Sequence, residues 1–253
     1  MLEQVSEIAR AAGRIAAARV GSGFKQWEKS PNNPVCEIDL EVDAFLREHL
    51  TRLDPEAGWL SEETLDDSDR IERPRLWVVD PIDGTRDYLR GRPGWCVSVA
   101  LVEERVPVLG VLDAPARGEH WSAAVGKGAW RNGLRIKASG RTALAGARVP
   151  TKTLPDVDAD LVAVAKPNSI ALRIALVAAG EADLVATLKW GFEWDIAAAA
   201  LIAEEAGARI TGVLGQPLAF NTASGEAFGV LATAPGIHAE AAERLRARAL
   251  ELV

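Results

Sequence analysis

The stretch from Leu76 to Thr85 sets a short apolar run, Leu76, Trp77, Val78 and Val79, against two carboxylates, Asp80 and Asp83, spaced i, i+3. Gly84 and the hydroxyl of Thr85 follow directly. The apolar run reads as a buried strand. Two acids at the end of such a strand repel one another, and they are tolerable together when a divalent cation lies between them. Gly84 lets the backbone approach a ligand closely. If Thr85 starts a helix, the free amides of that first turn suit a phosphate. A bare Asp-Gly turn is the plainer reading, but it explains neither Asp80 nor the strand that delivers it. The group reads as metal plus phosphate.

Other acids stand in similar settings. Glu62 and Glu63 end the strand-like segment WLSEE, Asp39 stands where a helix is expected to open, and Asp195 precedes the alanine-rich run IAAAALIAEEAG. Taken singly, the two aspartates read as N-caps and the two glutamates as a solvated edge. No Ser-His or Cys-His set competes, because His49, His120 and His238 lie in unrelated contexts. A phospho-aspartate mechanism needs two aspartates spaced i, i+2, and the G-x-G of VGKGAWRNG lacks a strand-to-helix setting.

Positioning these residues requires an α/β mixture. Residues 2–19 carry a helical stripe, and the segment WEKSPNNPVCEI, with two prolines and two asparagines, reads as an irregular, mobile loop. A second helix is expected from Asp39. Strand-like pieces follow through about residue 136, and from about residue 145 strands and helices alternate, with IALRIALVAAG as a helix closed by Gly180. The reading is two halves, 1–144 with most of the acids and 145–253 supplying Asp195, in one compact molecule with a shared site.

The chain has 253 residues and a net charge of -7, which argues against a nucleic-acid polymer as partner. A small phosphorylated metabolite stays open, since a bound metal reverses the local sign. No apolar run approaches a bilayer span, and Glu3 and Glu7 interrupt the first segment, unlike a signal peptide. Cys36 and Cys96 form no disulfide framework or metal-ligand spacing. A cytoplasmic protein without a membrane partner is the expectation.

The motifs SEE, WVVDPIDGT and EWDIAAAALIAEEAG, with EKSPNNPVCEIDLEVDAFLREHL before them, resemble the inositol monophosphatase family of magnesium-dependent, lithium-sensitive phosphatases. The resemblance runs from about residue 3 to beyond 230. It implies the layered αβαβα sandwich of the inositol monophosphatase/fructose-1,6-bisphosphatase type, usually a homodimer. It implies Mg2+, as two or three ions, with Mn2+ as a substitute and Li+ or Ca2+ inhibitory. Glu62, Asp80 and the carbonyl of Ile82 would hold one ion, and Asp80, Asp83 and Asp195 a second. Glu62 would also hold a third through waters, with Glu63 behind the ligands. The amides of Gly84 and Thr85 would grip the phosphate. Asp39 would accept the Thr85 hydroxyl proton, and the pair would orient the attacking water. Lys29 matches a family lysine near the metals, and we expect its loop to close like a lid. Cys36 stands where the family usually has threonine.

Inositol-specific members usually carry a glutamate seven residues before the final aspartate, and here that count falls on Leu188. Glu193 and the form DGTRDY look closer to the branch that removes the 3′-phosphate from adenosine 3′,5′-bisphosphate, with Arg86 attracting a second phosphate. Asn168, Ser169, Lys189 and Glu193 are expected to wall the substrate. An inositol 1-phosphate or broad sugar or polyol phosphatase is the alternative, followed by a histidinol phosphatase. A catalytically silent, metabolite-binding homologue is the alternative outside enzymes.

Overall fold

The computed structural model describes residues 1–31 and 33–252. In chain order the elements are α1 (Leu2–Arg19), β1 (Gln26–Ser30), β2 (Asn33–Cys36), α2 (Glu37–Leu53), β3 (Gly58–Ser61), β4 (Arg75–Asp83), α3 (Thr85–Leu89), β5 (Cys96–Glu103), β6 (Val106–Ala114), β7 (Glu119–Ala124), β8 (Ala129–Arg131) and β9 (Leu134–Arg135). Then come β10 (Arg148–Pro150), β11 (Val162–Val164), α4 (Ile170–Ala178), β12 (Leu184–Phe192), α5 (Ala197–Glu205), β13 (Arg209–Thr211), β14 (Glu226–Thr233) and α6 (His238–Leu250).

Strands β3 to β9 form a seven-stranded sheet in sequence order, with β3 and β4 parallel and the remaining pairs antiparallel. Side chains alternate across it. Trp77 and Val79 of β4 join the core under α1 and α2, with Val5, Ala9, Val42 and Leu46. Leu76 and Val78 face the other way, into a core with Leu172 and Ile174 of α4 and Leu201 and Ile202 of α5. That second core continues to Val185 and Val230 of the antiparallel sheet β12-β14-β13. Leu231 and Leu184 pack against Ala241 and Leu245 of α6 on its far side. The layers are therefore helix, sheet, helix, sheet, helix, the expected αβαβα sandwich. Burial on both faces explains why β5 is apolar almost throughout, without a two-residue alternation.

Three local expectations need correction. The segment expected to be irregular pairs Gln26–Ser30 with Asn33–Cys36 as the antiparallel strands β1 and β2. Pro34 is tolerated there because the two strands pair only with each other, leaving edges that need no amide donor. Helix α2 opens at Glu37, not at Asp39. Cys36 is its N-cap, and the Asp39 side chain reaches back to the Cys36 amide, so Asp39 is the third helical residue. Asp195 does not cap α5 but ends the 3-10 turn Glu193–Asp195, with α5 starting at Ala197. Among the described residues, no helix is long and apolar enough to cross a membrane.

Candidate active site

Strand β4 delivers Asp80 and Asp83 through a register irregularity between them, where its pairing with β5 skips. Such bulges re-aim side chains next to sites. Asp80 is 1% exposed, and its Oδ1 accepts a hydrogen bond from the Ile82 amide at 2.9 Å. Asp83 is fixed from the start of α4: Ser169 Oγ donates to its Oδ2, as does the Ala171 amide at 2.8 Å. Asp195 arrives on its 3-10 turn, where Oδ2 accepts from the Phe192 amide at 3.2 Å. One carboxylate oxygen from each of Asp80, Asp83 and Asp195 lies within 4.8 Å of the other two.

This clustering is electrostatically expensive. Burial holds the Asp80 carboxyl well above the usual range, reinforced by the charges of Glu62, Asp83, Asp195 and Asp39. Asp195 is raised by burial and then by Asp83 and Glu62. Asp83 is raised by burial, against the lowering effect of its bond from Ser169. A hard divalent cation relieves this repulsion, and the donor set is all oxygen, so the residues fit Mg2+. Glu62 follows β3 and lines the same pocket.

Gly84 turns the chain from β4 into α3 at φ +99°, a left-handed conformation, and a Cβ there would lie 2.6 Å from the Gly94 carbonyl oxygen. Only glycine fits both demands. Thr85 then begins α3, as expected, and its Oγ1 donates to the Ile82 carbonyl at 3.1 Å and to Asp39 Oδ1 at 3.4 Å. Cys36 Sγ, in the threonine position, donates to the other Asp39 oxygen at 2.9 Å. Burial pushes Asp39 up to about 6, with the Cys36 bonds opposing.

Lys29 reaches from β1 to Glu63 Oε1 at 2.6 Å and to Glu62 Oε1 at 3.4 Å. Its ammonium is held charged: burial lowers its proton affinity, but the two glutamates outweigh that and raise it. Glu63 is pushed up to about 7 by burial, against the pull of Lys29. Asp43 of α2, which the sequence did not single out, accepts from Ser61 Oγ and from Thr64 Oγ1 and so fixes the segment that carries both glutamates.

The pocket, a cavity of about 440 Å3, is lined by Glu62, Asp80, Asp83, Gly84, Thr85, Arg86, Asn168, Lys189 and Asp195 among others. Two expected wall residues are elsewhere. Glu193 is fully buried and accepts from the amides of Asn221 and Thr222 and from the Thr222 hydroxyl, tying its turn to the segment before β14. Ser169 is fully buried and serves Asp83, not the substrate. Leu188 packs with the core under α6 and lines a separate cavity, so its identity says nothing about substrate hydroxyls. Missed in the sequence were Lys166 and Arg173, which line the pocket. A lone arginine within the apolar run IALRIALVA was a usable signal for Arg173.

An all-oxygen carboxylate cluster that fits a divalent cation, beside a glycine turn at the end of a buried strand, suits metal-assisted hydrolysis of a phosphate ester. The model of the inositol monophosphatase family matches residues 1–251. Inositol monophosphatase 2 of Solanum lycopersicum is 30% identical over 229 residues, covering 81% of this chain and 86% of that protein. The 3′(2′),5′-bisphosphate nucleotidase CysQ of Escherichia coli K12 is 33% identical over 230 residues, covering 86% and 93%. The structure of a Thermotoga maritima IMPase superposes with a TM-score of 0.84 at 28% identity, covering 97% of this chain and 96% of that one. The chain belongs to the inositol monophosphatase family of Mg2+-dependent phosphatases, and it is a phosphoric monoester hydrolase.

Proposed function

We propose that the chain removes the 3′-phosphate from adenosine 3′,5′-bisphosphate, or from a closely related small phosphorylated metabolite, with Mg2+. The pocket lining carries this reading. Its acids are Asp80, Asp83 and Asp195 of the cation cluster and Glu62, which we assign to the same ions, and its remaining charged residues are Arg86, Lys166, Arg173 and Lys189. Such a wall suits a second anionic group and offers no carboxylate to the hydroxyls of a polyol. The likeness to the CysQ nucleotidase supports the same reading. The likeness to the tomato inositol monophosphatase favours inositol 1-phosphate as the second reading.

Asp80, Asp83 and Asp195 would hold Mg2+ with Glu62, and the Ile82 carbonyl would complete the set. When bound, Mg2+ stabilises charge on the phosphoryl oxygens and makes the attacking water more acidic. The chain supplies the rest. Gly84 and Thr85 place the phosphate at the turn, and the Thr85 hydroxyl orients the attacking water. Asp39 takes the proton that the hydroxyl passes on, and an affinity near pH 6 suits a base working near neutrality. Lys29 holds Glu62 and Glu63 in place as the hairpin covers the site. We read the working unit as a homodimer, as is usual in the family, with a small metabolite as its other partner.

Phosphate release from adenosine 3′,5′-bisphosphate and inositol 1-phosphate at matched concentrations, each with and without Li+, tests this reading. Preference for the nucleotide supports it, and preference for the inositol ester replaces it with the second.

A further inference from the structure

Strand β12 does not keep its two-residue alternation to the end. Its pairing with β14 runs from Thr187 opposite Val230 to Trp190 opposite Phe228, so that Leu188 and Lys189 on one strand face Gly229 alone on the other. The extra residue changes which side chains reach the pocket. Ala186 and Leu188 line the cavity beneath α6, whereas Thr187, Lys189 and Trp190 line the catalytic pocket, so Lys189 and Trp190 reach it from consecutive positions.

Trp190 is 55% exposed, and Phe228 packs against it edge-on at 5.4 Å between ring centroids. A large aromatic side chain left open on the wall of a catalytic pocket is a surface on which a planar ring stacks. Beside it stands Lys189, and Lys166 and Arg173 line the same pocket. Arg173 is held by the carbonyls of Ser169 at 3.1 Å and Asn168 at 2.9 Å. None of these three cations makes an ion pair among the described residues. Lys166 is held below its ordinary proton affinity by burial and then by the like charges of Arg173, Lys152 and Lys189, while burial lowers Arg173 against the pull of Asp83 and Asp195. A bound dianion relieves that repulsion.

We propose that the bulged end of β12 is the specificity surface of the site, with Trp190 stacking on the base of a nucleotide substrate and Lys189, Lys166 and Arg173 binding its second phosphate. The proposal rests on the phosphatase reading above and assigns its selectivity to these residues.

The test compares wild type, Trp190→Ala and Lys189→Ala at saturating Mg2+ on adenosine 3′,5′-bisphosphate, 3′-AMP and inositol 1-phosphate. Trp190→Ala is expected to lower kcat/KM for both adenosine esters about tenfold more than for inositol 1-phosphate. Lys189→Ala is expected to lower it for the bisphosphate about fivefold more than for 3′-AMP. Equal losses on all three esters, or none, overturn the proposal. Calorimetric binding of AMP without metal reads the surface apart from turnover. Trp190→Ala should weaken it about tenfold, and unchanged affinity overturns the stacking role. If wild type hydrolyses no ester while AMP binding still depends on Trp190, the phosphatase reading fails and the stacking surface stands.

Discussion

Asp39 shows how one carboxylate is made useful by its surroundings. Helix geometry puts it at the third position of α2, the Cys36 amide and thiol occupy one oxygen, and Thr85 reaches the other. Burial lifts its proton affinity to about 6, so it is mostly ionised at neutral pH and yet able to accept a proton. With Asp39 as the proposed base, kcat/KM at saturating Mg2+ is expected to fall in acid, with a midpoint below about 6, because bound Mg2+ offsets the Glu62 charge that raises Asp39. Asp39→Asn should remove that limb and lower kcat by about 100-fold or more. A pH-rate profile of both proteins checks this. Much of the residue set was legible, because acids at the ends of apolar runs are conspicuous. Glu193 and Ser169 misled because their partners are distant: Glu193 serves Asn221 and Thr222, and Ser169 serves Asp83 across the molecule.

At the scale of elements, the hairpin of β1 and β2 turns Lys29 into a strut. Its bonds to Glu62 and Glu63 would orient Glu62, a proposed metal ligand, from behind, and such supporting contacts typically change metal affinity about 10–100-fold. Lys29→Met should therefore weaken Mg2+ affinity about tenfold while leaving the melting profile of the metal-free protein close to wild type, as titration calorimetry and thermal unfolding would show. A second joint ties β12 to β10. Asp183 is 1% exposed and accepts from the Arg148 amide and guanidinium and from Ser139 Oγ. Burial alone would raise its proton affinity, but these donors hold it far below the usual carboxylate range. The stabilisation is present above the unfolded carboxylate value and lost as pH falls toward the depressed folded one. Asp183→Asn should cost about 2 kcal/mol near neutrality and less in acid, measured by denaturant unfolding at both. The hairpin was illegible because prolines and asparagines signal loops, yet an edge strand tolerates Pro34. The bulge in β12 was also hidden. Seven residues back from Asp195 falls on Leu188, which faces the cavity under α6, while the bulge turns Trp190 to the catalytic pocket without any mark in the sequence.

At the scale of the molecule, the site exists because elements distant in sequence meet. Asp80 and Asp83 come from a strand of the seven-stranded sheet, and Asp195 from the turn before α5. One apolar core runs from Leu60, Val78 and Val102 through Ile174 and Ile202 to Val230. With that core shared, unfolding is expected as one cooperative transition, with equal calorimetric and van't Hoff enthalpies. Two separate transitions would show that the halves fold independently. The layered fold was legible from motifs together with strand-helix order. The way the layers share α4 and α5 was not, since an apolar helix does not reveal which sheet covers each face.

The central claim is that Asp80, Asp83 and Asp195 hold the divalent cation on which hydrolysis depends. The most direct measurement is Mg2+ binding and phosphate release on wild type and Asp83→Asn. Mg2+ binding that Asp83→Asn weakens by about 100-fold, together with turnover that needs Mg2+ and is lost in the variant, is the expected result. Mg2+ affinity and turnover unchanged in Asp83→Asn would contradict the account.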